Sequence, residues 1–138
     1  VEEAKQIADI VEPVFRGLDR EQIVVLYFDT KMKPIGMEIV AIGGTKACIV
    51  ETSNIFKGAI AANATAIAMV HNHPSGSTSP SKQDFYMTNQ MAMAGELLGI
   101  PLVDHLILGR EDFYSFKKEH PGVRLSEVEQ IPKKLCED

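Results

Sequence analysis

Cysteine, clustered positive charge and long apolar runs are all scarce in this sequence. Only two cysteines occur, Cys48 and Cys136, and neither belongs to a C-x-x-C pair. A disulfide framework and a cysteine-rich zinc site are therefore excluded, and a reducing compartment, the cytoplasm, is the expected location. No apolar run approaches the roughly 18 residues that a membrane span needs, and the start shows no signal-peptide pattern.

Basic residues are outnumbered and dispersed. Lys and Arg total 14 against 19 Asp and Glu, which gives a net charge of −5. The basic residues form no cluster larger than the pairs at 117–118 and 133–134. Nucleic-acid binders usually present a basic face, because neutralising phosphates releases counterions. Direct DNA binding by this chain is therefore disfavoured, and no membrane partner is expected.

The sequence does contain enough apolar material for one compact core, since 45% of its 138 residues are apolar. Periodicity, caps and breakers predict helices over residues 2–16, 53–63 and 81–98, and strands over 22–29, 35–42, 47–51, 65–70, 101–109 and 113–116. The first two strands read as a hairpin. The prediction is an α/β domain over residues 1–119, with one mixed sheet and helices on both faces, followed by a polar tail over 120–138.

The stretch HNHPSGSTSPSKQD at residues 71–84 carries the strongest chemical signal. His71 and His73 leave a buried strand in an extended state, because the residue before Pro74 avoids helical conformations. Residues two apart in an extended chain point the same way, and two neutral imidazoles suit zinc. The alternative is a pair of polar loop histidines.

Asp84 follows Ser81 with the S-x-x-D spacing of a helix capping box. Capping alone would explain both residues. The same helix start would also hold the Asp84 carboxylate rigidly, as a metal ligand requires. His71, His73 and Asp84 would then supply three protein ligands and leave a fourth position for water, as in catalytic zinc sites.

Acidic residues on two predicted strands, Glu38 and Glu51, are candidates for the base that such a site needs. The alternative for each is a strand residue that faces solvent. In VDHLIL, Asp104 and His105 could orient a metal ligand from behind, or His105 could be a hydrogen-bonded structural histidine.

The spacing H-x-H, seven residues, Ser, two residues, Asp resembles the JAMM motif, also called MPN-plus or JAB, with His71, His73, Ser81 and Asp84 in place. The longer strings HNHPSG and LLGIPLVDHLILG resemble the bacterial RadC branch, and the likeness covers roughly residues 14–118. One departure is Ser77, where relatives commonly carry an acidic residue.

This resemblance implies a zinc-dependent metalloprotease or isopeptidase-like hydrolase that acts on a protein or peptide of unknown identity. It implies zinc ligation by His71, His73 and Asp84, with Ser81 stabilising the oxyanion. It favours Glu38 over Glu51 as the general base. The implied fold is similar to that of cytidine deaminases, but the P-C-x-x-C pair of a nucleobase deaminase is absent.

The RadC branch is named for DNA repair, which implies an alternative: a non-catalytic module for DNA repair or protein interaction on the same fold. Scaffold members of the wider family typically lose ligands, whereas this sequence keeps all three. Full-length RadC proteins often carry an N-terminal helix-hairpin-helix module that this sequence does not contain, so we expect either a fragment or a short form. The sequence leaves the oligomeric state open.

Overall fold

The computed structural model describes residues 3–16, 21–41, 52–73 and 75–128. Within these ranges the chain forms a five-stranded sheet and four α-helices. In chain order the elements are α1 (Glu3–Phe15), β1 (Gln22–Phe28), β2 (Pro34–Ala41), α2 (Thr52–Ala61), β3 (Ala66–Asn72), α3 (Lys82–Leu98), β4 (Leu102–Leu108), β5 (Phe113–Ser115) and α4 (Phe116–Glu119), with a final 3-10 turn at Leu125–Glu127.

The sheet is mixed, as the hairpin in the sequence predicts. Its strand order is β2-β1-β3-β4-β5. Strand β1 runs antiparallel to both β2 and β3, β3 runs parallel to β4, and β5 returns antiparallel to β4. A parallel pair needs a crossover connection, and α3 supplies it between β3 and β4. The strand predicted at 47–51, with Cys48 and Glu51, lies outside the described residues, as does Cys136.

Helices cover both faces of the sheet, which confirms the predicted α/β architecture. Alternate strand residues point to opposite faces. One set packs with α1 in a cluster that includes Val11, Val24, Leu26, Val70 and Leu106. The other set packs with α2 and α3 in a cluster that includes Ile23, Val25, Phe56, Met69 and Met91. The chain is thus a three-layer arrangement with one apolar core on each side of the sheet.

Strand β3 and helix α3 are the elements that position the residues of interest. All seven residues of β3 are buried, as expected for a central strand covered on both faces. Helix α3 starts at a capping box on Ser81 and ends at Gly99, whose φ of 77° lies in the left-handed region. Gly95 lets α3 approach the start of β4, because a Cβ there would lie 2.5 Å from the carbonyl oxygen of Ile100.

The described chain beyond α4 packs on the domain. Val128 is 1% exposed and joins Phe85, Ile107 and Phe116 in a third apolar cluster. Asn89 Nδ2 donates to the carbonyl oxygen of Val128 at 2.7 Å. The domain boundary at residue 119 stays a prediction, since residues 129–138 are not described. None of the described helices has the length and apolar character to cross a membrane.

Candidate metal centre

The three predicted ligands meet at one point. Strand β3 carries His71, His73 follows it directly, and Asp84 lies in the first turn of α3. His71 Nε2 lies 3.2 Å from His73 Nε2 and 3.0 Å from Asp84 Oδ1. His73 Nε2 lies 3.2 Å from Asp84 Oδ2. The side chains of His71 and Asp84 are 0% and 4% exposed, so the folded domain holds these groups rigidly.

Glu21 is a fourth member of the group, and the sequence reasoning missed it. Its Oε2 lies 3.5 Å from His71 Nε2 and 4.0 Å from His73 Nε2. Glu21 directly precedes β1, and Ile23 of β1 pairs with His71 of β3. Asn72 Oδ1 accepts from the backbone N–H of Gln22 at 2.8 Å, which ties the start of β1 to the end of β3. The sequence offers only one signal for Glu21, an acidic residue just before a predicted strand. The pairing of β1 with β3 is what brings this residue beside the histidines.

The spacing of these atoms fits a tetrahedral ion. Two ligand atoms at 2.0–2.1 Å from zinc and separated by the tetrahedral angle lie about 3.3 Å apart. The three contacts among His71, His73 and Asp84 measure 3.0–3.2 Å. One ligand atom from each of these residues and from Glu21 can be chosen so that all four lie within 4.8 Å of one another.

The chemistry of the donor set also fits a cation. His73 Nδ1 lies 3.0 Å from the carbonyl oxygen of Ser77. A carbonyl only accepts, so His73 carries a proton on Nδ1, and its Nε2 presents a lone pair when the ring is neutral. Carboxylate oxygens of Asp84 and Glu21 face that nitrogen. A cluster of lone pairs is stable only when a metal ion or added protons lie among them.

The pKa shifts of His73 and Asp84 also indicate that this site favours positive charge. The hydrogen bond with Asp84 raises the pKa of His73 above its ordinary value, although burial opposes the shift. Burial alone would raise the pKa of Asp84, but hydrogen bonds with His71 and His73 outweigh it and hold that pKa far below the usual carboxyl range. Asp84 is therefore a carboxylate at neutral pH, as a metal ligand must be.

Ser81 lies beside this group as the N-cap of α3. Its Oγ accepts from the backbone N–H of Asp84 at 3.1 Å, and its own N–H donates to Asp84 Oδ2 at 2.8 Å. The capping and ligand interpretations of Asp84 are thus compatible in space, because one carboxylate oxygen serves the cap and also faces His73. The Ser81 hydroxyl proton takes no part in the capping box.

Glu38 lies elsewhere on the sheet. Tyr27 Oη donates to Glu38 Oε1 at 2.5 Å, and a Cβ on Gly58 of α2 would lie 2.4 Å from the same oxygen. Glu38 pairs with Val25, two positions along β1 from the residue that pairs with His71. Two strand spacings and two residues separate their Cα atoms, which is about 12 Å. Among the described residues, Glu38 is not part of the group of four.

His105 and Asp104 do not act as a pair. His105 Nε2 lies 3.0 Å from His71 Nδ1, so His105 does lie directly behind a candidate ligand. Burial lowers the pKa of His105 to about 3 and keeps the ring neutral. Asp104 accepts instead from Ser115 Oγ at 2.6 Å and from the backbone N–H of Lys117 at 3.0 Å. It therefore fastens β4 to β5 and α4 rather than orienting a ligand.

Comparison with known proteins finds similarity over most of the chain. The sequence profile of the RadC-like JAB domain matches residues 1–122. A protein of Thermotoga maritima named UPF0758 protein is 41% identical over 102 residues, which cover 74% of this chain and 46% of that protein. A UPF0758 protein of Methanosarcina mazei is 38% identical over 115 residues, or 83% of this chain and 50% of that protein.

A third relative, a UPF0758 protein of Carboxydothermus hydrogenoformans, is 46% identical over 100 residues, which cover 72% of this chain and 44% of that protein. The chain thus spans about half the length of the curated relatives it matches. Residues 1–122, which the family profile matches, contain the sheet, the three helices that flank it and all four residues of the candidate metal centre.

Proposed function

The chain belongs to the RadC-like JAB domain family, and from that membership and the geometry of its metal centre we propose that it is a zinc-dependent hydrolase of amide or isopeptide bonds in proteins or peptides. The observation that carries the proposal is the convergence of two imidazoles and the Asp84 carboxylate at 3.0–3.2 Å, which matches the edges of a tetrahedron around zinc, with the Glu21 carboxylate 3.5 and 4.0 Å from the two imidazole nitrogens. When bound, zinc would lower the pKa of a water and polarise the scissile carbonyl.

His71, His73 and Asp84 would hold the ion. Their nitrogens and carboxylate lie within 3.2 Å of one another, and zinc commonly takes three such ligands in catalytic sites. The side chain of His73 is 16% exposed whereas that of His71 is fully buried. Substrate would therefore approach from the side of His73 and Glu21, where the group meets solvent.

Glu21 is the base in this proposal. Its carboxylate is farther from both histidines than Asp84 is, and its side chain is 37% exposed against 4% for Asp84. A group beside the ligands and open to solvent can take a proton from the attacking water and deliver it to the leaving amine. A role as a fourth ligand would require Glu21 to be as closely held as Asp84.

Ser81 would assist at the carbonyl oxygen of the substrate. Its Oγ lone pair is used by the α3 cap, but its hydroxyl proton remains able to donate. A donor aimed at the developing negative charge typically contributes two to three orders of magnitude to the rate. The alternative, a non-catalytic module for DNA repair or protein interaction, would not need a base and a donor beside a full ligand set.

Zinc binding is tested on the protein treated with EDTA and then titrated with zinc against a chromophoric chelator. We expect one zinc ion per wild-type chain and at least tenfold weaker binding by Asp84→Asn, which keeps an oxygen acceptor for the Ser81 cap. Equal binding by the wild type and Asp84→Asn would place the ion outside the proposed site.

Hydrolysis is tested by counting new amino termini after incubation with a mixture of denatured bacterial proteins. Glu21→Gln should cut more slowly by about 10²–10⁴-fold, the usual worth of a positioned base, while zinc binding is largely kept. Glu38→Gln is the matched control and should cut like the wild type. The opposite pattern would assign the base to Glu38, and no cleavage by the zinc-loaded wild type would favour the interaction module.

A further inference from the structure

A chain of buried hydrogen bonds leads from the backbone of α3 to the rear nitrogen of His71. Thr88 Oγ1 lies 2.8 Å from the main-chain carbonyl oxygen of Asp84. The same Oγ1 lies 2.6 Å from His105 Nδ1, and His105 Nε2 lies 3.0 Å from His71 Nδ1. Thr88, His105 and His71 are each 0% exposed. These groups must therefore satisfy one another without help from water.

The donor-to-acceptor direction of this series of hydrogen bonds is determined at its Asp84 end. A main-chain carbonyl has lone pairs but no proton, so the single hydroxyl proton of Thr88 lies between Thr88 and Asp84. Thr88 can then only accept from His105, and the one proton of neutral His105 must be on Nδ1. His105 Nε2 is consequently an acceptor, and the proton between the two rings belongs to His71 Nδ1.

The opposite direction leaves a buried contact unmet. If Thr88 donated to His105 Nδ1, its oxygen and the carbonyl oxygen of Asp84 would face each other at 2.8 Å with no proton between them. His105 would then carry its proton on Nε2 and donate to His71. Neutral His71 would hold its proton on Nε2, the nitrogen that points at the Asp84 carboxylate.

Packing holds the His105 ring in the plane that its two hydrogen bonds, to Thr88 and His71, require. His105 stacks on Phe116 with ring centroids 4.9 Å apart and an interplanar angle of 9°. Phe116 is itself fully buried. A turn of the His105 ring out of this plane would break the stacking and both of its nitrogen contacts together.

We propose that Thr88 and His105 are positioning residues that hold His71 as the Nδ1–H tautomer, so that its Nε2 lone pair is directed into the metal centre. Asp84 is then joined to His71 twice, through its carbonyl by way of this chain and through its carboxylate directly. His73 reaches the same tautomer by donating to the carbonyl of Ser77. Only the state of His71 therefore depends on side chains that a substitution can remove.

The tautomers are measured in the metal-free wild-type protein labelled with nitrogen-15 at its four histidines, by long-range nitrogen–proton correlation spectra. We expect His105 to carry a proton on Nδ1 and none on Nε2, and His71 to carry a proton on Nδ1. A proton on His105 Nε2 would overturn the proposal. This readout needs neither zinc nor hydrolysis.

The consequence for metal affinity is measured with Thr88→Val, which removes the hydroxyl at nearly constant shape. Loss of such an outer partner typically weakens metal binding by 10–100-fold, and we expect zinc affinity to fall within that range. Thr88→Ser restores a hydroxyl and should restore both the affinity and the His105 spectrum. Thr65→Val is the matched control, since Thr65 Oγ1 also bonds a main-chain carbonyl, that of Phe28, away from the metal centre.

This second measurement rests on the proposed function, and the outcomes are distinguishable. If Thr88→Val binds zinc within twofold of the wild type, the positioning role is overturned while the hydrolase proposal stands. If the wild type binds no zinc at these residues but shows the expected tautomers, the hydrolase proposal fails and the assignment of Thr88 and His105 to the state of His71 is supported.

Discussion

At the residue scale, Asp84 links the ligands, the helix start and the hydrogen bonds behind His71 in the candidate metal centre. Its carboxylate faces both histidines and accepts from Ser81, and its carbonyl accepts from Thr88. Replacing its side chain would disturb the helix start and the ligand set together, whereas the main-chain carbonyl that accepts from Thr88 would remain. Substitutions that separate these roles, such as Asp84→Asn and Thr88→Val, are therefore more informative than removal of the whole side chain.

Asp104, the other buried carboxyl group among the described residues, shows how burial affects ionisation where no histidine side chain faces the carboxylate. It is 3% exposed and accepts from Ser115, from the backbone of Lys117 and from that of His105. Burial raises the pKa of Asp104 above its ordinary value in spite of these bonds. With a higher pKa in the folded state than in the unfolded chain, Asp104 favours folding most at low pH and loses this contribution as pH rises through the folded pKa.

We therefore expect the free energy of unfolding of the wild type, relative to Asp104→Asn, to increase as pH falls from 7 toward 4. The slope cannot exceed about 1.4 kcal/mol per pH unit for one proton. Urea denaturation at several pH values, with EDTA present, measures it. Asp9→Asn, on the exposed side of α1, controls for the change in net charge, and parallel wild-type and Asp104→Asn curves would contradict the prediction.

At the element scale, the start of α3 has both a structural and a chemical role. The backbone N–H groups of a first helical turn need acceptors from outside the helix, and Ser81 supplies one of them. The same turn brings Asp84 to the histidines. The Ser81 N-cap thus fixes the start of α3, after a loop that contains Ser and Pro, next to the end of β3.

Ser81 variants separate the two roles. Ser81→Ala should lower the free energy of unfolding by about 1 kcal/mol, whereas Ser81→Gly should cost only a few tenths, as measured by urea denaturation of the metal-free protein. Neither variant has a hydroxyl, so both should lose hydrolysis to the same extent if Ser81 donates to the substrate. Full hydrolysis by Ser81→Gly would show that Ser81 acts only as a cap.

At the scale of the whole molecule, the chain beyond α4 covers part of the core near the metal centre. Val128 packs on Phe85, Ile107 and Phe116, and Phe116 in turn stacks on His105. Removing this segment would expose the cluster and leave the Asn89 amide without its acceptor on Val128. The support behind His71 therefore extends to residues outside the predicted domain boundary.

A chain that ends at Glu119 should be less stable than one that ends at Val128 by about 3 kcal/mol, since a buried valine contributes roughly 1.5–3 kcal/mol and a hydrogen bond about 1 kcal/mol. Thermal and urea unfolding of the two truncated chains measure the difference. The chain that ends at Val128 controls for the loss of residues 129–138. Equal stability would support a domain boundary at residue 119.

The sequence by itself determined the elements and the local part of the centre. Hydrophobic patterning predicts nearly all the described helices and strands, because burial on one face leaves a periodic pattern and burial of a strand on both faces leaves a short continuous apolar run. His71, His73 and Asp84 lie within one short segment, so the exit of one strand and the first turn of one helix are enough to bring them together. Local conformation and sequence spacing are therefore sufficient to predict that these three side chains lie together.

Tertiary structure alone decided which distant residues join the centre. Glu21 lies beside the two histidines because β1 pairs antiparallel with β3 in a register that places Ile23 opposite His71. His105 lies behind His71 because β4 pairs in parallel with β3. Glu38, on a strand with a suitable pattern, lies two strands and two positions away. Strand order and register depend on hydrogen bonds and apolar packing between segments that are far apart in the sequence. They cannot be predicted from any single short segment.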